Sequence, residues 1–158
     1  RHKEEAAMAQ EGQVSALTTL LSSFSVFITY EPLRTEVPCS VFLPAKARTY
    51  TIPPRASLDP DGVANEVRVF TQDLVPALLI PGRRFDAAGT RHGQGGGWYD
   101  RFLAQVPREW LRIGICYDDQ FSSAPLVRES WDQAMDYVAV VNRESGEVTL
   151  YSTDAPHD

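Results

Sequence analysis

Between Gly82 and Gly97 the chain holds six of its ten glycines, within 16 residues. The heart of this window is Arg91-His92-Gly93-Gln94-Gly95-Gly96-Gly97-Trp98-Tyr99-Asp100. Glycines at alternate positions free the backbone to take positive φ and to lie close against a ligand. Their N–H groups, leading into a following helix, make a cradle for phosphate. Arg91, just before the loop, has the forked geometry that pairs with phosphate oxygens. Asp100, just after it, is a hard ligand for a magnesium ion bridging such phosphates. A flexible turn carrying solvated charges is the competing reading. A Walker loop needs Gly-Lys-Ser/Thr at its end, and a dinucleotide fingerprint needs a glycine at Trp98, so neither pattern fits.

The elements around the loop read as α/β. Ala77–Ile80 is a short apolar run closed by Pro81-Gly82, as expected of a buried strand. Trp98, Phe102 and Ala104-Gln105 fall on a helix, Arg112–Tyr117 and Tyr137–Val141 on two further strands. A turn at Asn142–Gly146 leads into Glu147–Tyr151. Strand, loop, helix, strand is a βαβ unit, with ligands expected where the strands end.

Upstream, Val14, Leu17, Leu20 and Leu21 recur at helical spacing, predicting a helix over Val14–Ser22. Phe24–Tyr30 is β-branched and aromatic and reads as a strand. Six of the 11 prolines lie between Pro32 and Pro60, so this region is expected to be irregular, with short strands at Val41–Leu43 and Thr49–Ile52. Residues 1–12 read as a helix or a tail.

Length and composition agree with one compact domain: 158 residues, 43% hydrophobic and 23% charged. The first residue is Arg1, and a truncated N-terminus is expected. With 15 basic against 21 acidic residues the net charge is −6, which argues against nucleic acid as a partner. No apolar run approaches the ~20 residues of a bilayer span, so no membrane partner is expected. Cys39 and Cys116 stand far apart, without zinc spacing, and fit a reducing compartment. A cytoplasmic monomer is expected, an organellar one being open.

The loop and its surroundings resemble the 5-formyltetrahydrofolate cyclo-ligase (5,10-methenyltetrahydrofolate synthetase) family. The resemblance rests on Pro81-Gly82, Phe85-Asp86, Gly89-Thr90-Arg91, Gly93, Gly95, Gly97, Tyr99 and Asp100, and continues through Gly114, Gln120, Asp132 and Asp136. It is dense from Asp73 to Val141 and thins upstream, where Tyr30 and Glu36-Val37 match the segment that carries a folate-contacting glutamate.

The resemblance implies a single α/β domain of Rossmann-like kind, with a central, mostly parallel sheet flanked by helices. It implies an ATP- and Mg²⁺-dependent ligase that closes 5-formyltetrahydrofolate to 5,10-methenyltetrahydrofolate, releasing ADP and phosphate. Arg91, His92, Gly93, Gln94, Gly95, Gly96, Gly97, Trp98 and Tyr99 would bind ATP, with Arg91 and Tyr99 catalytic. Gln94–Trp98 and Glu36 would face the folate, and Asp100 and Asp132 would hold Mg²⁺. This chain departs from the family at Pro38, where an acidic residue is common, and at Val127, where proline is. Trp98-Tyr99 replaces a Tyr-Tyr pair, and the stretch from Glu36 to Pro54 is shorter. The alternative these departures keep open is a non-catalytic relative that binds nucleotide or folate.

Overall fold

A computed structural model describes residues 16–54 and 58–153. Four strands make the centre of the sheet: β1 (Val26–Tyr30), β3 (Ala77–Ile80), β6 (Leu111–Tyr117) and β8 (Tyr137–Val141). They are apolar almost throughout because both faces of a parallel sheet are covered. Two edge strands complete it, β2 (Arg48–Ile52) and β9 (Val148–Ser152). The spatial order is β2-β1-β3-β6-β8-β9, parallel except for β9.

Register follows the alternation of side chains. Phe27 pairs with Ala77, Ala77 with Leu111 and Gly114 with Val138. Successive residues therefore point to opposite faces. Ile28, Leu78, Ile80 and Val138 join one core with helices α2 (Pro60–Thr71) and α3 (Trp98–Ala104). Phe27, Ala77, Leu79, Ile113 and Ala139 join the other, covered by the helical segment α1 (residues 16–21) through Leu17 and Leu21. The result is a three-layer α/β/α arrangement, as the sequence leads one to expect.

The long helix α2 is absent from the sequence reading, although its signals are plain afterwards. The Asp59 side chain accepts from the Asp61 N–H, Pro60 opens the helix, and Val63, Ala64 and Val67 form its buried stripe. It packs against α3 on the same face of the sheet.

One expected strand is corrected. Val41–Leu43 is not a strand: Ser40–Phe42 forms a turn of 3₁₀ helix, with the Phe42 and Leu43 N–H groups donating to the carbonyls of Cys39 and Ser40. Pro38 and Pro44 flank this stretch and lack the donors a ladder needs, so local bonds prevail. The start of the expected Val14–Ser22 helix, and the N-terminal tail, lie outside the described residues.

A second, small sheet stands beyond the C-terminal ends of β3 and β6. It comprises β4 (Arg84–Asp86), β5 (Arg91–His92) and β7 (Phe121–Ser122), in the order β5-β4-β7. Its anchor is Phe85, fully buried against Gly114 of β6; a Cβ on Gly114 would lie 2.3 Å from the Phe85 ring. This sheet delivers the glycine-rich loop, which runs directly from β5 into α3.

Candidate active site

The hairpin of β4 and β5 is set by Asp86. Its Oδ1 accepts the N–H groups of Ala88 and Thr90 at 3.1 and 2.9 Å, and Oδ2 accepts that of Leu126 at 2.8 Å. One buried carboxylate thus closes the turn and ties it to the loop leading to Asp132.

Arg91, the last residue but one before the glycines, is buried rather than displayed on the surface. Its Nε donates to the Pro81 carbonyl at 2.6 Å, and its guanidinium lies 4.8 Å from the centroid of the Tyr99 ring. Two glycines make room for it. A Cβ on Gly93 would come within 2.8 Å of Nη2, and one on Gly82 within 3.1 Å of Cγ.

The loop then turns through three successive glycines with φ of 94°, 76° and 67° at Gly95, Gly96 and Gly97. A side chain disfavours this backbone. A Cβ at any of the three would meet no atom of the described residues within 4 Å, so the bare loop borders open space. That space is a cavity of about 620 Å³, and every position from Arg91 to Asp100 lines it.

Asp132 lines the same cavity, although 32 positions separate it from Asp100. The Asp132 carboxyl lies near enough to act electrostatically on that of Asp100. Burial raises the Asp100 pKa above the ordinary carboxyl value, and Asp132 adds to the rise. The Gln133 N–H, which donates to Asp100 Oδ1 at 3.0 Å, and the charge of Arg91 partly offset it. Asp132 Oδ2 in turn accepts the Glu129 N–H at 2.8 Å.

Among the described residues no cluster of three or more His, Cys, Asp or Glu could hold a metal. Two hard carboxylates facing a phosphate-sized space nevertheless suit Mg²⁺, which takes one or two carboxylates and completes its octahedron with water and phosphate oxygens. Zinc would want a fuller set of protein ligands.

Several residues take roles their type alone does not reveal. His92 lines the cavity, but its Nε2 donates to the Val127 carbonyl at 2.7 Å, which holds the Asp132 loop against β5. Trp98 is half-buried, stacked on Phe102 at 5.4 Å, with Nε1 donating to the Leu58 carbonyl at 3.1 Å. It serves as both core and cavity wall. Glu36 does not line the cavity. It is buried, and its Oε1 accepts the N–H of Leu33, which does line it. Next to Glu36 the Tyr30 phenol is pushed far above its usual pKa by burial, with Cys39, Glu36 and Tyr99 adding to the shift.

Gln120 and Asp136, both part of the resemblance, prove to be braces. Gln120 accepts the Tyr117 N–H and donates to the Thr35 carbonyl. Asp136 receives the Arg108 guanidinium and the Arg112 N–H. Sequence reasoning missed Arg83, Arg101 and Trp131 on the cavity wall. Arg101 and Trp131 adjoin Asp100 and Asp132, the signal that would have found them; Arg83 shows none beyond following Pro81-Gly82. Arginines and an acidic pair lining one cavity suit a polyphosphate carried with a divalent cation.

Known proteins are similar to this chain. A curated 5-formyltetrahydrofolate cyclo-ligase of Mycoplasma genitalium is 36% identical over 64 residues, 40% of this chain and 38% of that protein. One from Mycoplasma pneumoniae is 32% identical over 76 residues, 48% of this chain and 45% of that protein. The matched stretch thus spans under half the length of either relative. Among solved structures, a 5,10-methenyltetrahydrofolate synthetase from Mycoplasma pneumoniae superposes with a TM-score of 0.56 over 89% of this chain and 88% of that one, at 22% identity, and shares the fold. The family model of 5-formyltetrahydrofolate cyclo-ligases matches residues 54–141, from just before α2 to the end of β8 and so across the glycine loop and both aspartates. With more than half of its length matched, the chain belongs to the 5-formyltetrahydrofolate cyclo-ligase family.

Proposed function

We propose that the protein closes 5-formyltetrahydrofolate to 5,10-methenyltetrahydrofolate at the expense of ATP, with Mg²⁺ bound by Asp100 and Asp132. The observation that carries this reading is a single cavity shared by Arg91, the bare loop Gly95–Gly97 and the Asp100–Asp132 pair. Family membership and the names of the curated relatives support it.

The chemistry asks for positioning more than for covalent work by the protein. A formamide oxygen is a weak nucleophile, and hydroxide is a poor leaving group. The formyl oxygen attacks the γ-phosphorus, ADP departs, and the oxygen becomes part of a phosphate ester. The neighbouring N10 then attacks the activated carbon and gives up its proton. Phosphate leaves, and the five-membered ring is closed. Magnesium, when bound, neutralises charge on the phosphates. Arg91 and the loop N–H groups orient the triphosphate, Tyr99 holds the Arg91 guanidinium in place, and Trp98 supplies an apolar wall for a ring system.

The placement of Glu36 favours a second reading, a relative that binds nucleotide without cyclising folate. Glu36 is buried and does not line the cavity, so the pterin contact expected of it draws no support from the cavity wall. Incubation with 5-formyltetrahydrofolate, ATP and Mg²⁺, followed by the absorbance of the methenyl product, separates the two. Product formation is expected; nucleotide binding without product would establish the second reading.

A further inference from the structure

Arg112 is an expensive residue for its place in the fold. It sits mid-sheet on β6, 1% exposed, where its neighbours Ile113 and Ile115 are aliphatic. Among the described residues no carboxylate accepts from its guanidinium, although Asp136, which accepts its backbone N–H, attracts the charge from nearby. Nη1 donates to Gln133 Oε1 at 2.9 Å, Nη2 donates to the Leu103 carbonyl at 3.0 Å, and Nε has no hydrogen-bond partner among the described residues. A buried cation whose guanidinium hydrogen-bonds only to neutral groups costs stability, and an aliphatic side chain would fill the site at less cost. Burial, helped by the like charge of Arg108 and opposed by Asp136, pulls its pKa down to about 10.

The two bonds that Arg112 does make span one specific gap. Leu103 lies on α3, the helix that carries Asp100, and Gln133 is the residue directly after Asp132. Gln133 completes the link, because its backbone N–H donates to Asp100 Oδ1 at 3.0 Å. Its side-chain amide also reaches back to the Trp131 carbonyl at 3.5 Å, the outer limit of such a bond. Arg112 therefore clamps α3 to the Asp132 loop from beneath, and Gln133 passes that clamp on to the carboxylate.

We propose that Gln133, anchored by the buried Arg112, is a positioning residue for the divalent-cation site and sets the mutual orientation of Asp100 and Asp132. The inference rests on the reading of those two aspartates as magnesium ligands. Groups that orient metal ligands from behind govern affinity without touching the ion.

The test uses the full chain and Mn²⁺ as a calorimetric probe, beside thermal melting of each variant. Gln133→Ala removes the amide that Arg112 holds, while Gln133→Glu keeps an oxygen for it. The Ala variant should weaken Mn²⁺ binding by about tenfold, the lower end of what such outer groups contribute. The Glu variant should bind Mn²⁺ at least as tightly as the parent. Gln133 lies in a half-buried loop position, so both variants are expected to fold, and melting verifies it. In turnover, the Ala variant should raise the apparent KM for Mg²⁺ and leave that for ATP unmoved. Parent-like Mn²⁺ affinity in the Ala variant, or equal losses in Ala and Glu, overturns the proposal. A parent protein that binds ATP but no Mn²⁺ instead overturns the assignment of the aspartates, and this inference with it.

Discussion

The guanidinium of Arg91 lies over the ring of Tyr99, 4.8 Å from its centroid, across the mouth of the glycine loop that separates the two in sequence. The contact closes the loop at its base: one end is held by β5, the other by the first turn of α3. Arg91 thus has a structural task as well as a ligand to meet. Arg91→Ala should weaken Mg-ATP by at least the ~1.5–3 kcal/mol of a charge-assisted contact. It should also lower Tm, since a buried hydrogen bond and a cation–π contact go with it. Calorimetry together with a melting curve reads both effects, and unchanged nucleotide affinity would remove Arg91 from the site.

Gly97 has φ of 67° and opens α3, with no atom of the described residues within 4 Å of its absent Cβ. An alanine there must accept a left-handed backbone at roughly 1–2 kcal/mol. Gly97→Ala should therefore lower Tm modestly and abolish turnover, because the methyl group projects into the ligand's space. A merely mobile loop predicts the opposite sign, a neutral or stabilising change through the unfolded state. A variant that melts higher and still turns over substrate would sink the cradle.

Asp100 carries a pH prediction. Burial first, and Asp132 after it, raise its folded pKa above the unfolded value. The folded state then holds the proton more tightly, so stability is lost as pH rises from the unfolded pKa through the folded one. Once ionised, Asp100 is a cost to the metal-free protein. Asp100→Asn should thus raise Tm by a few degrees at most without Mg²⁺, while greatly reducing turnover. Divalent-cation affinity of the parent should decline on acidification at a pH above the ordinary carboxyl range. A titration of Mn²⁺ affinity against pH checks this.

Gly114 is explained by packing rather than by ligand. The Phe85 ring occupies the place of its side chain, with Cε1 2.3 Å from where Cβ would stand. Gly114→Ala should cost about 1–3 kcal/mol by overpacking. Adding Phe85→Leu should recover part of it, since the clash is with that ring. Additive losses in a denaturant series of the two single variants and the double would contradict the pairing.

Much of the site was legible locally. Glycine density, a preceding arginine and a following aspartate mark the loop at Arg91–Asp100, because the positive φ at Gly95–Gly97 is a property of the chain itself. The buried strands were legible for the same reason, since β1, β3, β6 and β8 are apolar almost throughout, Thr29 and Arg112 apart. Other features depend on what lies far away in sequence. The helix α2 shows its own cap and stripe, yet was hidden by the prolines before it. At Val41–Leu43 a β-like composition yielded to local turns between Pro38 and Pro44. His92 and Trp98 bond to the carbonyls of Val127 and Leu58, which no local pattern reveals.

The sequence by itself determined the loop, the parallel core and the residue types able to meet phosphate and magnesium. Only the tertiary structure decided that Asp132 meets Asp100, that Glu36 lies off the cavity, and that a buried Arg112 stands beneath them. The reason is physical: φ preferences and apolar runs act between neighbours, whereas burial and carboxylate pairing arise only once the sheet has brought distant segments to the same end of its strands.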